Sequence, residues 1–385
     1  MTQRLPRHTR IAIAAYFFVS GFGFASFASR IPSLQQKLQL NEAQIGTALF
    51  AMPLGVILTL PLTRFLLKNY GSRYVLFSGS IAYNLFLCTL GFVSNSWQLM
   101  FVLFLFGGSR NLMNISVNAQ SMGVQKLYSK SIITTFHGIW SISGFVGGTL
   151  GGFMIGKDIS LEHHFEITGL ICVSTILYFF RDTVKNDAKK EESNEKQKKI
   201  SFNWPEKALL KLGLVAFACQ SCEGIMFDWS GIYFQKVVHA PKHLITTGYV
   251  AFMCAAALAR FGGDWLINKS GIKLVFQVCS GFTIAGFIIA VSFPYLIPAT
   301  IGFVFIGIGV SCIVPLIMTL ATRTSSQSPG VAIASVSTIS YFGFLLGPPL
   351  IGYIAQAANL QWSFGLGILA SIFMFVLVTY KVKVE

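Results

Sequence analysis

Gly71-Ser-Arg-Tyr-Val-Leu-Phe77 and Gly271-Ile-Lys-Leu-Val-Phe-Gln277 stand 200 residues apart, each at a short polar turn after a long apolar run. A second match, Gly144-Phe-Val-Gly-Gly148 against Gly343-Phe-Leu-Leu-Gly347, keeps that offset to within one residue. Each half of the chain holds six long apolar stretches. A duplicated six-span unit is the trace left by a membrane protein built from two like halves around a central site.

Composition supports that reading. Of 385 residues, 54% are hydrophobic and 11% charged, with a mean hydropathy of +0.64. Soluble domains carry about 25% charged residues, so this chain has too little polar surface to solvate a globule of its size. The net charge of +15 does not mark a nucleic-acid binder, because nine of the 29 basic residues fall between Arg181 and Lys211 and most others sit at the ends of apolar runs. That placement signals membrane topology. All seven cysteines lie inside apolar runs, and Cys219-Gln-Ser-Cys222 has no second pair or nearby histidine. Neither a disulfide framework nor a metal site is expected.

Twelve spans can be drawn, at roughly 11–29, 45–66, 74–94, 97–120, 132–156, 163–181, 208–234, 245–267, 272–293, 296–320, 330–356 and 361–380. Each is long enough to cross about 30 Å of hydrocarbon as a helix. The expected fold is an all-α membrane protein with 12 transmembrane helices in two pseudo-symmetric six-helix bundles. Residues 1–181 form the first bundle, 182–207 a cytoplasmic linker and 208–385 the second bundle. Ala25-Ser-Phe-Ala28 has the look of a signal-peptide cleavage site, but cleavage there would delete the first half's counterpart of span seven. On the side that holds the N-terminus, loops and tails carry 22 lysines and arginines, against five on the other side. Both termini are therefore expected in the cytoplasm.

Twelve helices, a six-plus-six repeat and a basic central loop resemble the major facilitator superfamily along essentially the whole chain. That family carries a GxxxDRxGRR loop between spans two and three, echoed between eight and nine. Here the copies read RFLLKNYGSR (Arg64 to Arg73) and DWLINKSGIK (Asp264 to Lys273). Gly71, Arg73, Gly271 and Lys273 match; Arg64 replaces the first glycine and Lys68 the aspartate. FASRIPSLQQKLQLNEAQIG (27–46), NAQSMGVQ (118–125), TFHGIWSISGFVGG (135–148) and EGIMFDWSGIYF (223–234) resemble the bacterial YbjJ-like subgroup. The fucose-permease type of proton symporter is a more distant likeness. The resemblance implies a multi-pass protein of the bacterial inner membrane. It also implies that spans one, four, seven and ten, then two, five, eight and eleven, lie nearest a central cavity.

An ionisable group within hydrocarbon costs several kcal/mol unless paired or wetted, so each one is a candidate. On span four, Arg110, Asn114 and Asn118 recur every four residues, with Asn111 beside them. Arg110 offers five donors in a planar fork and suits a carboxylate, phosphate or sugar hydroxyls; a structural arginine neutralised by a neighbouring helix fits equally. Glu223 on span seven lies at a similar depth and is the candidate proton-coupling acid, with Arg110 as partner or competitor. A fixed Arg110–Glu223 bridge is the other reading. Gln220 lies one turn from Glu223 and is a candidate solute ligand, as are Asn111, Asn114, Tyr16 and Tyr341. His137 near the inner end of span five is a candidate proton relay or a packing histidine. Arg30 and Asp228 fall near the outer face in register and are read as an outer gate pair or as unrelated charges. Arg260 and Asp264 (i, i+4 on span eight) are read as a local pair in inner gating, with Arg64 and Arg73 of the signature loop.

The expected activity is alternating-access transport of a small polar or anionic solute, coupled to protons as symport. Proton-antiport export of small molecules or drugs is the alternative, and a non-transporting sensor or scaffold is the third reading. No Ser/His/Asp set, metal-ligand spacing or nucleotide loop points to an enzyme. The expected partners are a small solute, protons and the lipid bilayer, with no nucleic acid, no cofactor and a monomeric chain.

Overall fold

A computed structural model describes residues 4–129, 132–185, 206–325 and 329–381, and they are overwhelmingly helical. Most of the expected linker, residues 186–205, lies outside the described residues. Among the described residues, ten helices are long and apolar enough to cross a membrane. The pair Glu42–Leu58 and Leu60–Leu90, bent by 41° where the two meet at Thr59, adds an eleventh if counted as one span. Pro61 has no N–H to continue the helical ladder there.

Leu60–Leu90 is itself two helices, divided at Gly71, where φ is 75° and ψ is 161°. That conformation is essentially closed to any residue with a Cβ. Gly271 adopts the same one, at φ 78° and ψ 156°, between Thr247–Ser270 and Ile272–Ser292. Gln39 (φ 52°) and His239 (φ 54°) form another left-handed pair at the same offset of 200. The repeat read from sequence is thus a repeat of backbone conformation, and counting 60–70 and 72–90 separately brings the spans to twelve.

Polar caps start several spans. Asn41 and Gln44 accept from each other's amide at 2.8 and 3.0 Å. Asn95 accepts from Gln98 N, Ser160 from His163 N, and Asn359 from Trp362 N. Each satisfies an amide that the first helical turn leaves open, worth about 1 kcal/mol.

By contact the chain forms two compact units. The first is Met1–Arg30 with Ala51–Phe202; the second is Ile31–Phe50 with Asn203–Glu385. Residues 31–50 therefore pack with the second unit although they precede the linker. Glu42 pairs with Lys236 at 2.6 Å, and the backbones of Gly46 and Gly352 touch. In the first unit Arg4–Ser29 (span one) packs chiefly on Ile133–Gly156 (span five), with Gly147 against Phe22 O. The second unit repeats that pairing between Lys207–Lys236 (span seven) and Pro329–Ala357 (span eleven), with Gly343 against Phe217 O. A side chain at either glycine would collide with a carbonyl, so small residues set the helix spacing. Span eleven runs as one helix through Pro348 and Pro349. Spans one and seven are 78% and 67% buried; the sixth and twelfth are each 33% buried.

Candidate functional site

In the first unit, Ser96–Gln125 (span four) carries the polar stripe. The Arg110 guanidinium lies over the Phe24 ring, 4.1 Å from its centroid. A cation on an aromatic face is stabilised by the ring quadrupole, by about 1–2 kcal/mol out of water. Asn114 accepts from the Ser20 hydroxyl at 3.0 Å, and Asn118 Nδ2 donates to Asn114 O at 2.8 Å. Arg110, Asn114, Phe24 and Ser20 thus form one patch shared by spans four and one.

The structure turns other expected ligands elsewhere. Asn111 is buried and donates to Thr63 Oγ1 at 2.9 Å and Thr59 Oγ1 at 3.3 Å, tying span four to span two. Tyr16 is 1% exposed, and its hydroxyl donates to Ile176 O on span six. His137 is exposed, with its ring edge-on to Phe17 at 5.4 Å.

Of the gating candidates, Arg30 and Arg73 make contacts within the first unit. Arg30 Nε donates to His164 Nδ1 at 2.9 Å, and its Nη2 donates to Ile159 O at 2.8 Å. Burial pulls this guanidinium down to about 10, with Glu162 acting in the opposite sense, so Arg30 stays cationic at neutral pH. Arg73 Nη2 donates to Phe180 O at 3.3 Å and stacks on the Phe180 ring, binding the start of span three to the end of span six. Arg64 is exposed. Asp228 is half-buried on span seven, and the side chain of Asp264 lies outside the described residues.

The second unit supplies a pairing that sequence reasoning missed. Glu223 is mostly buried, and its carboxylate lies 3.4 Å from Arg260 Nη2 on Thr247–Ser270 (span eight). Arg260 Nε also donates to Ser311 O at 3.4 Å. The signal was present as depth. Glu223 is thirteen residues inward from Lys236, where span seven ends, and Arg260 is thirteen inward from Thr247, where span eight begins. At 1.5 Å per residue both lie roughly 20 Å from the outer ends of their helices. Gln220 lies one turn from Glu223, with a buried Oε1 that accepts no hydrogen bond from the described residues. Tyr341 is 42% exposed on span eleven. No group of His, Cys, Asp or Glu among the described residues could hold a metal ion.

What such an arrangement can do follows from the Glu223–Arg260 pair. Ionised, the carboxylate gains from the guanidinium; protonated, it avoids the cost of a buried charge. The two effects oppose each other at this carboxyl.

Comparison with known proteins gives a consistent picture. A family profile described as Major Facilitator Superfamily matches residues 13–333. An uncharacterized MFS-type transporter of Yersinia pestis is 30% identical over 360 residues, covering 93% of this chain and 90% of that protein. The membrane protein MosC of Rhizobium meliloti is 26% identical, with 91% and 85% covered. Among solved structures, a mutant form of the nucleoside transporter NupG superposes with a TM-score of 0.77 at 12% identity, covering 97% of this chain and 98% of the other. A bacterial homolog of the human lysosomal transporter Spinster, inward-facing and unoccupied, gives 0.74 at 14% identity, with 98% of each chain covered. At these identities the structures establish the fold alone.

Proposed function

Because the chain belongs to the Major Facilitator Superfamily, and so is a multi-pass membrane transporter of small solutes, we propose that it works by proton-coupled symport of a small polar or anionic solute. The single observation that carries this reading is the Glu223–Arg260 pair at mid-helix depth, with Glu223 buried and Arg260 half-buried. A carboxylate held there by one guanidinium has a reason to exist if its charge changes during the cycle. Glu223 is the proton-coupling residue, and protonation weakens its hold on Arg260.

Arg110 is proposed as the main solute contact, with Asn114 beside it as a hydrogen-bonding partner. Gln220 is proposed as a solute ligand of the second unit. A guanidinium set on an aromatic face beside amide and hydroxyl groups suits a carboxylate, phosphate or polyol. The finer placement, with the bacterial YbjJ-like subgroup, rests on the four segments quoted above. With it go a bacterial inner-membrane location, cytoplasmic termini and a monomeric transporter.

The test begins with a thermal-shift screen of purified protein against sugars, sugar acids, nucleosides and amino acids. Uptake of the hit into proteoliposomes is then measured with and without an inward proton gradient. The proposal expects gradient-driven accumulation that Glu223→Gln abolishes. Accumulation indifferent to the gradient would reject proton coupling.

A further inference from the structure

Span ten, Leu296–Thr324, crosses as one helix with a local irregularity in its middle. Leu296–Ser311 and Ile313–Thr324 meet at Cys312, where φ is −101° and ψ −12°, still in the right-handed helical region. The cause is local: Pro315 has no N–H, so the carbonyl four residues earlier, Ser311 O, loses its partner within the helix. A carbonyl buried without a donor costs about 1–3 kcal/mol. Arg260 Nε fills that vacancy at 3.4 Å. A second contact fixes the same junction, with Cys312 Sγ lying 3.6 Å from Ala259 O. The guanidinium that meets this carbonyl is the one that pairs with Glu223 through Nη2.

We propose that Arg260 is a positioning residue that transmits the charge of Glu223 to the junction of span ten at Ser311 and Cys312. The proposal rests on the reading of Glu223 as the proton site. While Glu223 is ionised, it pins the guanidinium where Nε reaches Ser311 O. Once the carboxyl is neutral the pin is lost, Ser311 O loses its donor, and Ile313–Thr324 moves more freely about the junction. Arginine suits this task because its fork addresses two acceptors on different helices at once. Among the described residues, the thiols of Cys219 and Cys222 on its own helix also interact with Glu223, and the same helix carries Asp228. Span eight adds Tyr249 and Cys254, Ile31–Lys37 adds Lys37, and Leu377–Lys381 adds Tyr380. Span eleven brings Tyr341 and Tyr353 but no charge, and Gly365–Val376 brings none. Span ten brings Cys312 and, near its inner end, Arg323. Arg260 is therefore the cation through which a change at Glu223 reaches span ten.

The test is hydrogen–deuterium exchange of the full-length protein in lipid nanodiscs at one pH, read on peptides covering 313–324. Glu223→Gln mimics the protonated acid and should raise exchange there about fivefold, the loss expected for one hydrogen bond. Arg260→Gln should do the same, with Arg260→Lys falling between. Pro315→Ala restores the missing amide, so Ser311 O closes within its own helix. In that background Glu223→Gln should no longer alter exchange. Unchanged exchange in Glu223→Gln, or an undiminished response in the Pro315→Ala background, overturns the relay. Uptake assays separate the two claims. Gradient-dependent uptake lost in Glu223→Gln with no change in exchange leaves proton coupling standing and removes Arg260 as transmitter. A change in exchange with gradient dependence intact keeps the linkage and rejects proton coupling.

Discussion

Arg30, read from sequence as one of a gate pair or as an unrelated charge, makes two hydrogen bonds within the first unit. It donates to His164 Nδ1 and Ile159 O, so Arg30→Ala would leave two acceptors without that donor. The expected loss is about 2 kcal/mol of stability, read as a lower melting temperature in detergent, with Arg30→Lys recovering part of it. An unchanged melting temperature would show that the pair is incidental. Asn111 and Asn114 show why residue roles were only half legible. The i, i+4, i+8 spacing correctly grouped Arg110, Asn114 and Asn118 on one face of span four. Asn111 sits about 100° further round the helix, and in the folded protein that turn faces Thr59 and Thr63. Asn111→Leu should therefore lower thermal stability while leaving the apparent KM for solute near the native value; a large KM change would return Asn111 to the solute site. Glu223 could be named from sequence because an acid in the middle of an apolar run is conspicuous. Its partner Arg260 could not, since helix rotation decides which cation at a given depth faces it.

Elements were more legible than residues, because span length, turn glycines and caps are all local properties. Gly71 and Gly271 were singled out as repeat markers, and both adopt a backbone conformation reserved for glycine. Nothing lies within 4 Å of where a Cβ would stand at Gly271. A Gly271→Ala substitution thus isolates backbone strain, expected to cost about 1–3 kcal/mol in thermal or denaturant unfolding; no change would mean the turn relaxes freely. Gly343→Val acts differently, since its side chain would meet Phe217 O and Ser221 across the contact of spans seven and eleven. It should lower stability more than Gly271→Ala does, and an equal or smaller effect would show that the two helices can part. The irregularity in span ten was not legible. Pro315 was visible, but only the fold reveals which group compensates for its missing amide.

At the scale of the whole molecule, the asymmetry of lysine and arginine predicts cytoplasmic termini. Reporter fusions at either end should report the cytoplasm, and one inserted between spans five and six, near Asp158, should report the opposite side. Agreement of all three reporters on one side would overturn the topology. The sequence repeat foretold two like halves, and within each unit the pairing of spans one with five and seven with eleven follows it. It did not foretell that residues 31–50 pack with the second unit, because the Glu42–Lys236 and Gly46–Gly352 contacts join residues far apart in the chain. Proton movement itself gives the sharpest test of transport. In a weakly buffered suspension of proteoliposomes, adding the screened solute should make the external medium transiently alkaline. Glu223→Gln should abolish that signal while still exchanging labelled for unlabelled solute. An alkaline transient of native size in Glu223→Gln would contradict the assignment of the proton site.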